Sequence, residues 1–240
     1  MPATRRNPTE REAKGWRYEL KFPCAEAALA AMRACIRCHW AGFRAAYPPR
    51  RVNNIYFDTL SWDNIESNLA GVADRGKLRL RWYGDDVVSV LGTLEWKRKR
   101  GDLGLKIARA LRNPLDLTRM NWGNVLRSLR GEDLGPLAPV AGINCRPAVL
   151  NRYRREYLVS RDGLIRLTVD TAMEVYLQTF SGRPNLRRME RKLPLAVVEI
   201  KADASCWERV AEVAGDFPLS PAAHSKYVVG LYDQVGFSWF

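Results

Sequence analysis

The sequence predicts an α+β fold in which antiparallel strands close into a barrel, with a charged tunnel inside and helices flanking the outside. Three observations predict it. Nine segments of the chain read as strands, most of them alternating polar and apolar side chains with a period of two. Within these segments the charged residues fall on one face and the apolar residues on the other. Finally, Lys and Arg number 39 against 26 Asp and Glu, a formal net charge of +13, so the charged faces are mainly cationic.

Taken in chain order, residues 1–15 are polar and charged and read as a flexible basic tail; residues 16–240 read as the folded domain. WRYELKF (16–22) alternates as a strand, and the Ala-rich run 25–40 has the propensity and length of a helix. Pro48 and Pro49 predict a break before RVNNIYFDT, the next strand. Residues 60–69 suit a short helix that Gly71 closes. Strand character returns at 76–83, 91–99 and 103–110, followed by a helix over 113–129 and a Gly/Pro-rich connection through 142. Further strands are predicted at 147–159, 163–170, 172–178 and 195–202, with Asp162-Gly163 as a hairpin turn, since Asp-Gly suits the positive φ of a tight turn. Two helices, 205–215 and 221–235, complete the pattern.

Parity then assigns the charged face. KLRLRWYG places Lys77, Arg79 and Arg81 opposite Leu78, Leu80 and Trp82. The same arrangement sets Glu95, Lys97 and Lys99 against Leu94 and Trp96, and Glu199, Lys201 and Asp203 against Val198 and Ile200. Arg17, Glu19 and Lys21 oppose Tyr18 and Leu20, and Arg166, Thr168 and Asp170 oppose Ile165, Leu167 and Val169. Arg152, Arg154 and Glu156 are assigned with them, opposite Tyr153 and Tyr157. A single antiparallel strand can expose such a face to water. Its recurrence predicts instead a closed barrel of about eight strands, which has room for side chains and one small ligand. Cations crowded into that space repel one another unless a polyanion neutralises them, so the expected ligand is rich in phosphate. Glu199 and Glu95, beside Lys201 and Lys97, are suited either to salt bridges or to oxygen ligation of Mg²⁺ or Mn²⁺.

No window approaches the ~18 apolar residues of a membrane span. The N-terminal stretch lacks the apolar run of a secretory signal, which predicts a cytoplasmic protein with its five cysteines reduced. CIRCH (35–39) spells a haem-attachment pattern, but that chemistry needs export, so Cys35 and Cys38 read as thiols packed in a helix.

The motifs RYELKF, NIYFDT, KLRLRWYG, LEWKRK, NRYRREYLVSRDGLIRLTVDT, VVEIKA and HSKYVVGLYD, in this order over about residues 16–233, resemble the VTC (vacuolar transporter chaperone) domain of the triphosphate tunnel metalloenzyme superfamily, a CYTH-like fold. The resemblance implies a barrel tunnel that polymerises inorganic polyphosphate from the terminal phosphate of ATP, with Mn²⁺ or Mg²⁺ as cofactor. ATP and polyphosphate or triphosphate are the implied partners, and no nucleic acid is expected. Carried onto matching positions, it implies that Lys21, Arg79, Arg81, Lys97, Arg154, Arg166, Lys201 and Lys226 act on phosphate, with Lys106 binding it and Glu199 ligating the metal. Glu95, Lys99 and Arg152 complete the substrate-binding set. Ala223 departs from the pattern where eukaryotic polymerases of the family carry a second lysine, and Arg17-x-Glu19-x-Lys21 departs from the Glu-x-Glu-x-Lys of the related triphosphatases and cyclases. The alternatives are a tunnel triphosphatase that uses water as acceptor, and a non-catalytic binder of polyphosphate or nucleic acid.

Overall fold

The computed structural model describes residues 16–101, 103–142 and 145–231; the predicted tail and the last residues of the predicted C-terminal helix lie outside them. Nine strands are described: β1 (Arg17–Ala25), β2 (Arg44–Asp58), β3 (Asp74–Tyr83), β4 (Thr93–Arg100), β5 (Leu103–Ala110), β6 (Arg146–Val159), β7 (Arg166–Leu177), β8 (Arg191–Leu193) and β9 (Leu195–Asp203). Eight of them form a closed ring in the order β6-β2-β3-β4-β5-β1-β9-β7, and the β6–β7 pairing shuts it. Every pairing is antiparallel. β8, which the sequence reading missed, is three residues long and adds to β7. Closure leaves the ring's own strands without a free edge, as the alternating pattern predicted.

The outward parity of the ring is apolar and carries helices. α1 (Leu29–Cys38) and α4 (Trp207–Gly215) cover Phe22, Leu167, Val198 and Ile200 with Met32, Ile36, Val210 and Val213. α3 (Trp122–Arg130) lays Trp122, Val125 and Leu129 over Ile55, Leu80 and Leu94. Each such side chain, removed from water, contributes on the order of 1.5–3 kcal/mol. One outward position must be glycine: a Cβ on Gly76 would stand 1.9 Å from Trp96 Cζ2. The Trp96 ring occupies the place of that missing side chain.

The strands mostly match the predicted spans, and the deviations have local causes. The helix expected over 113–129 begins only at Trp122, after Pro114 and after Asn121, whose side chain caps it by accepting from Asn124 N. Pro48 and Pro49 do not break the chain; they lie within β2 where only β6 pairs with it, beside two register shifts. Proline lacks the N–H of a ladder bond and is tolerated at such one-sided, bulged positions. The two strands predicted at 163–170 and 172–178 are one strand, β7, with Ala172 at φ 51° and a register shift opposite Arg152 and Arg154. Asp162-Gly163 forms the expected turn, Gly163 at φ 77°.

Two further helices pack together against the ring. α2 (Asp63–Leu69) follows β2, and α5 (Lys226–Leu231) crosses the inward face of β2, β6 and β7, with Tyr227 stacked on Tyr56 and packed with Val149 and Val175. Gly230 lets it approach closely, since a Cβ there would meet Val149 Cγ2 at 3.2 Å. Asp58, fully buried at the end of β2, accepts from Asn64 N and Ile65 N at the start of α2 and from the Tyr227 hydroxyl of α5.

Candidate functional site: a cationic cavity inside the strand ring

Because β1, β3, β4 and β9 turn one parity inward, their charged residues converge. A cavity of about 530 Å³ is lined by Lys21, Arg75, Lys77, Arg79, Arg81, Lys97, Lys99, Arg155, Lys201 and Lys226, against two carboxylates, Glu19 and Glu199. Segment 221–229 forms part of its wall.

The carboxylates are spaced so that each serves several cations. Glu199 accepts from Lys201 at 2.8 Å, and stands 3.3 Å from Lys21 and 3.8 Å from Arg155. Burial disfavours its charge, yet Lys201, Lys21, Lys97 and Arg155 together hold the carboxyl well below the usual range. Glu19 receives Lys97 at 2.5 Å and Lys21 at 3.4 Å; burial again opposes ionisation, but Lys97 and the neighbouring lysines bring it down to about 2. Behind the wall, Glu95 takes two bonds from Arg79, at 2.8 and 2.6 Å, and one from Lys106 at 3.0 Å. Asp170 takes a bidentate pair from Arg155, at 2.6 and 2.7 Å, and Lys226 at 2.7 Å. Asp170 binds Arg155 with both oxygens and Glu95 takes both Arg79 bonds on Oε2, with Tyr56 OH accepting from Arg79 Nη1 at 3.2 Å, so both guanidiniums are oriented before any ligand arrives.

Lys77 differs from these. Its ammonium donates to Ser225 Oγ at 2.7 Å, and the largest charges acting on it are all cationic. Burial, then the charges of Lys97, Lys21, Arg75 and Lys99, hold it well below the usual lysine range. Surroundings that suppress a lysine's charge in this way favour an anion beside it.

Of the residues expected from the sequence, Lys21, Arg79, Arg81, Lys97, Lys99, Lys201, Lys226 and Glu199 line the cavity. Glu95 and Lys106 stand one step back, joined to each other and to Arg79. Arg152 and Arg154 do not reach it. Leu150 and Leu158 share their parity and belong to the outer apolar clusters, so this face of β6 points away from the lumen. Arg152 lies over the Tyr176 ring, and Arg154 is exposed, paired in register with Arg51. The residues of β6 that line the cavity are Tyr153 and Arg155, which the sequence reading missed; the positions of Leu150 and Leu158 carried the signal. Arg166 has inward parity but stands exposed at the first position of β7, with Arg17 and Asp203 as its charged neighbours, outside the cavity lining. Lys77 was also missed as a site residue, although it shares the face of Arg79 and Arg81.

No group of three or more His, Cys, Asp or Glu side chains among the described residues is placed to hold a metal by itself. Glu19 and Glu199, however, both border the cavity and both reach Lys21. Two carboxylates completed by phosphate oxygens and water are what Mg²⁺ or Mn²⁺ commonly uses, so the donor set fits a metal that arrives with its phosphate ligand. The CIRCH residues are uninvolved: Cys35 and Cys38 are free thiols on α1, and buried His39 packs on Phe43 and Phe217. Among the described residues no helix is long and apolar enough to cross a membrane.

The family described as the VTC domain matches residues 17–233. Two solved structures share the fold at low identity. One is a candidate adenylyl cyclase from Hippeastrum, described as having a dominant triphosphatase activity: TM-score 0.50, 15% identity, covering 92% of this chain and 96% of that one. The other is a candidate adenylate cyclase from Bacillus halodurans: TM-score 0.50, 12% identity, covering 90% of this chain and 97% of that one. No curated protein matches the sequence at a significant level.

Proposed function

The chain belongs to the VTC domain family, and on that footing we propose that it transfers the terminal phosphate of ATP to a growing inorganic polyphosphate chain inside the strand ring. The observation that carries this reading is the imbalance of the cavity wall, ten cations against two lining carboxylates, with Glu95 and Asp170 behind them as further counter-charge. Such a wall is costly when empty and is stabilised by a ligand with several phosphates.

Phosphoryl transfer asks a protein chiefly for positioning and electrostatic stabilisation. Arg79 and Arg155, oriented by Glu95 and Asp170, would each offer remaining guanidinium N–H groups to phosphate oxygens, those of Arg79 beside its bond to Tyr56 OH. Arg81, fixed by a 2.8 Å bond from Nε to Asn54 Oδ1, extends that row. Lys21, Lys97, Lys201 and Lys226 supply charge along the chain, and Lys77 and Lys99 extend it toward Arg75. Glu199, with Glu19, would hold Mn²⁺ or Mg²⁺, which when bound neutralises charge on the phosphate oxygens. The bond from the γ-phosphorus to the bridging oxygen of ATP breaks, a bond forms to the terminal oxygen of the polyphosphate, and ADP leaves.

The same cations would serve hydrolysis with water as acceptor, which is the alternative. Incubation with ATP and Mn²⁺ followed by gel separation distinguishes them. Long phosphate chains support the polymerase; free phosphate alone overturns it in favour of a triphosphatase.

A further inference from the structure

His224 borders the cavity on segment 221–229, and its Nε2 is buried without a hydrogen-bond partner. Buried ring nitrogens are normally satisfied, and one left open beside a polar cavity points to a partner that arrives with a ligand. The backbone on either side is fixed: Ala222 N donates to Lys21 O at 2.8 Å, and Ser225 Oγ accepts from Lys77 at 2.7 Å and from Val228 N at 3.2 Å. The imidazole is therefore presented by an anchored stretch of chain, next to Ala223.

The charged groups that act on it come from four elements: Lys226 from its own segment, Lys21 from β1, Asp170 from β7 and Glu199 from β9. Burial, then Lys226 and Lys21, push the imidazole down to about 4, so it is neutral in the empty protein at neutral pH. Both carboxylates are already engaged by several cations. A bound polyphosphate reverses the balance, since each phosphate charge favours the imidazolium that Lys21 and Lys226 disfavour.

We propose that His224 is a phosphate ligand of this chain, its Nε2 bonding the polyanion in the cavity, and that the imidazole takes up a solvent proton as the polyanion binds. This rests on the reading that the cavity binds phosphate chains. It assigns this segment a charge that appears only on occupancy, one residue from Ala223.

Calorimetric titration of the whole chain with inorganic tripolyphosphate, without metal, at about pH 6 and in two buffers of different ionisation enthalpy, tests it. Wild type is expected to take up more protons than His224→Gln, the ligand's own protonation cancelling in the difference. A charge-assisted bond corresponds to about tenfold in affinity, which His224→Gln should lose at pH 6 but largely not at pH 8. His224→Lys, cationic once the polyanion is bound at either pH, should keep the affinity at both values. Equal proton uptake in wild type and His224→Gln, with binding intact in both, overturns the proposal while leaving the phosphate cavity standing. Absence of tripolyphosphate binding in wild type overturns both.

Discussion

Lys77 Nζ donates to Ser225 Oγ at 2.7 Å, joining β3 to the segment that walls the cavity, while the charges that act on it are those of four other cations. The contact is local and neutral; the surroundings are repulsive. The empty ring therefore holds Lys77 at a cost in stability that a bound anion removes.

Lys77→Met should accordingly stabilise the empty protein and weaken its ligand. Replacing a desolvated, uncompensated cation with an apolar side chain of similar length removes the penalty. The melting temperature without ligand is expected to rise by a few degrees, about 1 kcal/mol, and tripolyphosphate affinity to fall about tenfold. A variant that melts lower, or binds as tightly as wild type, would place the anion elsewhere.

Asp170→Asn should have the opposite effect. Asp170 is fully buried and accepts from Arg155 Nε and Nη2 and from Lys226. Removing one member of such a buried network costs about 3–5 kcal/mol, because the charges left behind are uncompensated. Denaturant unfolding should show the midpoint drop, with partial recovery when tripolyphosphate is added.

Acid should unfold the protein through the same carboxylates. Glu19 and Asp170 are each held down to about 2, because Lys97, Lys201 and Lys21 in the first case, and Arg155 and Lys226 in the second, outweigh burial. Their stabilisation is present above the unfolded values near 4 and is lost as pH falls from about 4.5 toward 2. Tryptophan fluorescence against pH should show the wild type losing stability over that window; Glu19→Gln, less stable at neutral pH, should show a shallower decline.

Glu199→Gln should abolish metal-dependent turnover while the ring still folds. The amide keeps an oxygen but loses the charge that Lys21 and Lys201 share and that a bound metal would use. Circular dichroism should stay native-like, and product formation should fall at least about 100-fold, as for loss of a metal ligand or its support. Full activity at low Mn²⁺ would remove Glu199 from the metal site.

Much of this was legible in the sequence. The strand 77–84 needed only parity to place Arg79 and Arg81 inside and Leu78 and Leu80 outside. The same rule misplaced Arg152 and Arg154, because NRYRREY carries arginine on both faces, and only Leu150 and Leu158, one or two turns of the pleat away, reveal which face packs on helices. Arg166 shows a different limit: parity fixes direction but not depth, and a residue at the end of a strand can face inward yet stand in solvent. The position of α5 was not readable at all. Tyr227 and Leu231 have the period of a helix, but nothing local says that they pack within the ring on Val149 and Val175 rather than on its outside. The prolines of β2 illustrate the reverse, since a residue that breaks a central strand is compatible with one paired on a single side.

The central claim is that phosphate chains bind inside the ring. A crystal structure with tripolyphosphate and Mn²⁺ tests it most directly. The account predicts phosphate density in the cavity, within hydrogen-bonding distance of Arg79, Lys97 and Lys201 and with the metal on Glu199. Density confined to outward arginines such as Arg154, with the cavity empty, would contradict it.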